Sequence, residues 1–266
     1  MAKYSLATDE DRAKYAPELV GQGHVIVTDG EKYWVRKHKS GSVDQEKRDY
    51  LGYFLGKGFA NVAEVKLLNQ EELNQIVNLS PTRGPATTGN TFLVRLGGSY
   101  SLSELPCKTL EEAVATELVY SLWIRRRDTH ASNRVYAEGI PVFFDFETAF
   151  LGQKELSDIN SFFSGFGKEG HANRWRVKET KEIITTIKSR QTIIDHHYVS
   201  NIDVFKHQVQ LAVVKLREIT STNWEDTSEK AGFADSERDE MAAFLKRNLE
   251  TLNDDIKTMQ QIIFQP

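Results

Sequence analysis

A single cysteine, Cys107, leaves no partner for an intramolecular disulfide and no thiolate cluster for zinc. Such a residue is expected to be a small buried apolar side chain. Long apolar runs are also missing: no window reaches the length of about 18 residues that a membrane-spanning helix needs, so no span is expected. Met1 to Arg12 contains no apolar segment of the kind that secretory signals carry, and a cytoplasmic location is the expectation. A net charge of -4 supplies no basic excess, which argues against nonspecific nucleic-acid binding. Proline is scarce, six in all, with none between Pro141 and Pro266, so the last part of the chain is free to be helical. Internal repeats and low-complexity tracts are absent too. What remains is ordinary globular material: 266 residues, 39% hydrophobic and 27% charged, enough for one two-lobed unit or two small domains.

The most informative stretch is residues 121–150. After Ser121-Leu-Trp-Ile and three arginines come Asp128, His130 and Asn133, then a strand-turn-strand pattern that ends in Val142-Phe-Phe-Asp145-Phe-Glu147. Arg134-Val-Tyr and Ile140-Pro-Val-Phe-Phe flank Ala137-Glu-Gly139 and predict a short hairpin. A hairpin returns on itself, so Asn133 at its entry and Asp145 at its exit are expected side by side, two hard oxygen donors suited to Mg²⁺. Phosphoryl transfer from ATP asks for one carboxylate to orient the acceptor hydroxyl, plus an amide oxygen and a second carboxylate to hold the metal. Asp128, Asn133 and Asp145 supply that set in that order.

The Asp-x-His-x-x-Asn string, the hairpin and the Asp145-Phe146-Glu147 triplet together resemble the catalytic and metal-binding loops of the protein-kinase-like superfamily. The loop is similar to that of phosphatidylinositol kinases and bacterial HipA-like kinases. The triplet is similar to the Asp-aromatic-Glu of aminoglycoside and choline phosphotransferases. Two departures separate it from ordinary Ser/Thr protein kinases: Glu147 stands where Asp-Phe-Gly has glycine, and no His-Arg precedes Asp128.

Upstream, Leu19 to Thr28 and Lys32 to His38 flank Asp29-Gly, a strong hairpin signal. Gly21 and Gly23 either let backbone N–H groups approach a phosphate or form a plain flexible turn. Strand alternation puts Tyr33, Val35 and Lys37 on one face and Trp34 and Arg36 on the other. Lys37 is the expected phosphate contact, with Arg36 as the alternative, and the resemblance also implies a lysine on this strand. Residues 42–56 read as a helix capped by Ser42 with Gln45, which leaves Glu46 to pair with Lys37 or to sit solvated in the first turn. Asp49 is a further candidate for that pairing. Residues 59–68 and 91–96 read as strands separated by a polar segment. The second is followed by Gly97-Gly98 and a helix start, an order that resembles the hinge between kinase lobes and implies adenine contacts near Val94 and Arg95.

Apolar spacing predicts a helix over 109–124 that delivers Arg125, Arg126 and Arg127 to Asp128. The three arginines either meet a phosphate or are solvated. His130 either assists proton transfer or phosphate contact, or orients its loop by hydrogen bonding. The glycine-bearing span 148–174 reads as a mobile loop, and His196-His197 lacks the surroundings of a metal pair. Apolar stripes at 202–219 and 241–263 mark two helices that serve the core or a protein partner.

These readings predict an α+β, two-lobed protein-kinase-like fold: a β-rich nucleotide-binding lobe over 1–95 and a larger, mainly helical lobe over 96–266, with ATP between them. The expected activity is ATP- and Mg²⁺-dependent transfer of the γ-phosphoryl group to a hydroxyl of a protein, lipid headgroup or small molecule. Its alternatives are a noncatalytic kinase-like nucleotide-binding or scaffold module, nucleotidyl transfer in the same pocket, or a metal-assisted hydrolase built on Asp128, His130 and Asp145.

Overall fold

A computed structural model describes residues 3–15, 24–37, 43–79, 91–96, 100–126, 134–150, 202–219 and 233–263. They form a mixed α+β protein with a small antiparallel sheet and several helices. Strands β1 (Ser5–Leu6), β2 (Val25–Thr28), β3 (Tyr33–Arg36), β4 (Val65–Leu67) and β5 (Phe92–Arg95) are ordered β1-β2-β3-β5-β4, each pair antiparallel. The expected hairpin is β2–β3, with Thr28 opposite Tyr33. Asp29 builds its turn: one carboxylate oxygen accepts from the N–H groups of Glu31 (3.2 Å) and Lys32 (2.8 Å), and the other from the Trp34 indole (2.9 Å).

The period of two decides what covers each face of the sheet. Ile26, Val35, Phe92 and Val94 face the main core, where Tyr50, Leu51 and Tyr53 meet them. Val27, Trp34 and Leu93 point the other way, onto Tyr4 and Ile76. After α1 (Asp9–Tyr15), the helix that fills the main core is α2 (Val43–Gly56), and α3 (Gln70–Leu79) covers the opposite face. Helix α3 occupies the segment read as merely polar. Its start was in the sequence: Asn69 Oδ1 accepts from Glu72 N (2.9 Å) and Glu72 Oε2 accepts from Asn69 N (3.2 Å), a reciprocal cap.

The strand expected over 59–68 is shorter, because only Val65–Leu67 pairs in the sheet. Ahead of it, the fully buried Asn61 acts as a clasp. Its amide nitrogen donates to Cys107 O (3.0 Å) and Pro141 O (3.2 Å), its side-chain oxygen accepts from Cys107 N (2.8 Å), and its carbonyl accepts from Phe143 N (2.7 Å). A buried amide is tolerable only when satisfied in this way.

A one-turn 3-10 segment, Leu102–Glu104, precedes α4 (Leu110–Trp123), whose cap is Thr109, accepting from Glu112 N at 3.2 Å. Every side chain of α4 from Ala113 to Trp123 is buried, the signature of a helix surrounded by structure. The predicted central hairpin is β6 (Arg134–Ala137) and β7 (Ile140–Phe143), turned by Glu138 (φ 51°) and Gly139 (φ 86°). Both residues are left-handed, as a two-residue hairpin turn of type I′ requires. Helices α5 (Ile202–Ile219) and α6 (Asp235–Ile263) pack on α4. Phe205, Val209, Ala212, Val213 and Leu216 of α5, with Phe244, Leu245, Leu252 and Ile256 of α6, lie in the main core, so those parts of the two stripes are internal packing.

Candidate functional site

Lys37 follows β3 on the side of Val35 and therefore emerges toward α2. Its ammonium meets two carboxylates from distant parts of the chain: Asp49 Oδ2 on α2 at 3.1 Å and Asp145 Oδ1, beyond β7, at 2.9 Å. The side chains of Asp49 and Lys37 are 2% and 11% exposed and that of Asp145 is 18% exposed, so the cluster is sealed at Asp49 and reachable at Asp145. Burial alone would lower the Lys37 pKa, but the Coulomb attraction of Asp49 and Asp145 outweighs it and holds the ammonium above its ordinary value. Burial pushes the Asp49 carboxyl up, opposed by Lys37 and reinforced by Asp145.

The backbone around Asp145 is fixed atom by atom. Asp145 has φ 69°, a left-handed conformation that costs a non-glycine residue about 1 to 3 kcal/mol. Its N–H donates to the Tyr53 hydroxyl oxygen (2.9 Å), and the next N–H, of Phe146, donates to Asp49 Oδ1 (2.6 Å). Asp49 thus holds Lys37 with one oxygen and the Asp145 segment with the other. Arg126 donates from Nε to Asp145 O (3.2 Å) and from Nη2 to Phe144 O (2.7 Å). Phe146 stacks edge-on against Tyr53 (4.9 Å) and Tyr120 (5.8 Å), tying α2 to α4. A Cβ on Gly52 would lie 2.3 Å from that of Phe146, so only glycine admits the contact.

Of the residues expected at a nucleotide site, Lys37 and Asp145 come together. The acid opposite Lys37 is Asp49, the further candidate, rather than Glu46. Glu46 instead accepts from the backbone N–H and hydroxyl of Thr91 at 2.5 and 2.6 Å. The two acids stand three positions apart on α2, nearly one turn, and the shorter one lies deeper, against the Phe146 N–H. Val94 and Arg95 are committed to the fold. The Val94 side chain lies in the main core, between partners Val35 and Val65. The Arg95 N–H donates to Glu64 O (2.8 Å), and its guanidinium pairs with Glu64 (3.0 Å) and Glu104 (2.8 Å) over the Tyr100 ring. Gly21, Gly23, Asp128, His130 and Asn133 lie outside the described residues, as do Ser42, Arg127, Gly97-Gly98, His196-His197 and residues 151–174.

Arg125 and Arg126 are buried and ion-paired within the fold rather than solvated. Arg125 pairs with Asp255 (2.9 Å) and anchors the end of α4 to α6, while Arg126 is fully buried and pairs with Glu117 (3.3 Å). Tyr53 is a site residue that the sequence reading did not single out, Asp49 was named only as a further candidate for the pairing, and Arg126 only as one of three arginines with two open readings. Asp49 carried the best signal, sitting on the α2 face that bears Tyr50 and Tyr53.

Cys107 is buried, and burial raises its thiol to about 11. Among the described residues no group of three His, Cys, Asp or Glu side chains could hold a metal by itself, and no helix is long and apolar enough to cross a membrane. Asp145 is the more exposed of the two described carboxylates on Lys37, and a metal held by it would need further ligands from elsewhere. That fits Mg²⁺, which keeps several waters and binds through one or two carboxylates plus phosphates. Arg134 pairs with Phe143, so the first residue of β6 and the last of β7 share one end of the hairpin. An ammonium facing an accessible carboxylate offers a phosphate a cation and a divalent ion a hard oxygen. No protein-family model, curated protein or solved structure matches the chain.

Proposed function

We propose that the chain is an ATP- and Mg²⁺-dependent phosphotransferase with a two-lobed, protein-kinase-like fold, its sheet and α2 forming the smaller lobe and α4, the hairpin, α5 and α6 the larger. The observation that carries this reading is the Lys37–Asp49–Asp145 cluster, in which a strand-end cation is held by a helix acid and faces the acid that closes the central hairpin. Kinase-type phosphoryl transfer depends on such a lysine–acid pair next to a metal-binding aspartate.

Lys37 contacts the phosphates, and Asp49 keeps its ammonium charged and aimed. Asp145 and Asn133 would hold Mg²⁺, which neutralises phosphate charge when bound. Asp128 orients the acceptor hydroxyl and takes its proton as the oxygen bonds to the γ-phosphorus. The bond from that phosphorus to the β-phosphate oxygen breaks, leaving ADP and a phosphorylated acceptor. The acceptor is a hydroxyl on a protein, lipid headgroup or small molecule, and the setting is cytoplasmic.

The test is transfer of label from γ-radiolabelled ATP to fractionated lysate, comparing the native protein with Asp145→Asn. Removing an electrostatic group of this kind should lower turnover at least about 100-fold while the fold persists. Undiminished transfer by a folded Asp145→Asn protein contradicts the assignment.

A further inference from the structure

We infer that Arg126, held by Glu117, is a positioning residue that keeps Asp145 in its left-handed conformation and its carboxylate turned toward Lys37. The role of Asp145 as a metal ligand rests on the phosphotransferase reading, whereas the clasp itself does not. Strand β7 ends at Phe143, so the carbonyls of Phe144 and Asp145 leave the hairpin ladder in a buried region and need donors from elsewhere. Arg126 supplies both, Nη2 to Phe144 O at 2.7 Å and Nε to Asp145 O at 3.2 Å.

The guanidinium centre also lies 4.5 Å from the centroid of the Phe146 ring, so three successive residues are gripped by one side chain. Arg126 and Glu117 are 0% and 1% exposed, and their 3.3 Å pair gives the buried cation a counter-charge. A planar fork with several fixed donors can serve two carbonyls and a carboxylate at once, and an ammonium cannot do so in the same geometry. The opposite side of the segment is held by Tyr53 and Asp49. Without Arg126, the Asp145 peptide has lost its hold on the carbonyl side and is free to relax out of φ 69°, taking the carboxylate away from Lys37.

Hydrogen exchange at fixed pH tests the clasp in the ligand-free protein. Arg126→Lys should speed exchange of amides 144–150 about tenfold and leave β2, β3 and β5 unchanged. In an Asp145→Gly background the same substitution should add less than about threefold, because glycine adopts a left-handed φ without help. Unchanged exchange at 144–150, acceleration spread evenly over the molecule, or an equal increment in the glycine background overturns the inference. Should Arg126→Lys fail to fold, Glu117→Gln keeps the guanidinium, removes its counter-charge and decides by the same pattern: local acceleration supports the clasp, and unchanged or uniform exchange overturns it. A separate arm adds ATP with and without Mg²⁺ to the native protein. Metal-dependent protection at 144–150 is expected, and its absence contradicts the phosphotransferase reading while the ligand-free data still decide the clasp.

Discussion

Lys37 is the residue on which strand, helix and hairpin converge, and Asp49 is what makes a buried ammonium tolerable there. Removing one partner of a buried ion pair strands the other charge, so Asp49→Ala should cost about 3 to 5 kcal/mol in urea denaturation. Glu46→Ala, which removes the acceptor of Thr91 near the surface, should cost about 1 kcal/mol. Equal losses would contradict the assignment of Asp49 as the holder of Lys37. Lys37 and Asp145 were legible, one from strand alternation and the other as the acid closing an apolar run. Asp49 was legible only as a candidate behind Glu46, because choosing between acids three apart on a helix depends on how the helix is rotated against its neighbours.

The Arg95–Glu104 pair permits a pH test at the same scale. The Arg95 guanidinium, helped by the Ser101 N–H, holds the Glu104 carboxyl down from 4.5 to about 2. A lowered carboxylate stabilises the fold above its unfolded value, and that contribution is lost as pH falls from about 4.5 toward about 2. The native melting temperature should therefore fall across this window more steeply than that of Glu104→Gln. Parallel curves would show that the pair contributes nothing.

Among the elements, α2 approaches the Asp145 segment closely at Gly52. Gly52→Ala forces a methyl against Phe146 and should destabilise the protein by about 1 to 3 kcal/mol in thermal or urea unfolding. A neutral substitution would mean that α2 stands further from the segment than described. The elements with strong periodicity were readable in advance: α4 and the two C-terminal helices from spacing, both hairpins from their turn residues. Helix α3 was read only as a polar segment, although Leu73, Ile76 and Val77 stand at helical spacing and the Asn69–Glu72 cap announced its start. The strand read over 59–68 was overextended because β-rich composition does not reveal that Asn61 will be recruited as a buried clasp.

Across the whole molecule, the site joins pieces more than a hundred positions apart, as the bond from Lys37 to Asp145 does. Helix α6 braces this arrangement at two places. Arg125 and Trp123 fasten the end of α4 to it through Asp255 and the Leu245 carbonyl, and Lys47 of α2 reaches Glu237 (3.6 Å) and the Phe233 ring. No local pattern encodes such bracing, since it depends on which helix ends meet. The central claim, a metal-dependent nucleotide site centred on Lys37 and Asp145, is tested most directly by calorimetric titration of ATP with and without Mg²⁺. The native protein should bind ATP at least about tenfold more tightly with the metal. Asp145→Asn should lose that increment, and Lys37→Ala should weaken binding under both conditions. Identical ATP affinity with and without Mg²⁺ in the native protein would contradict the account.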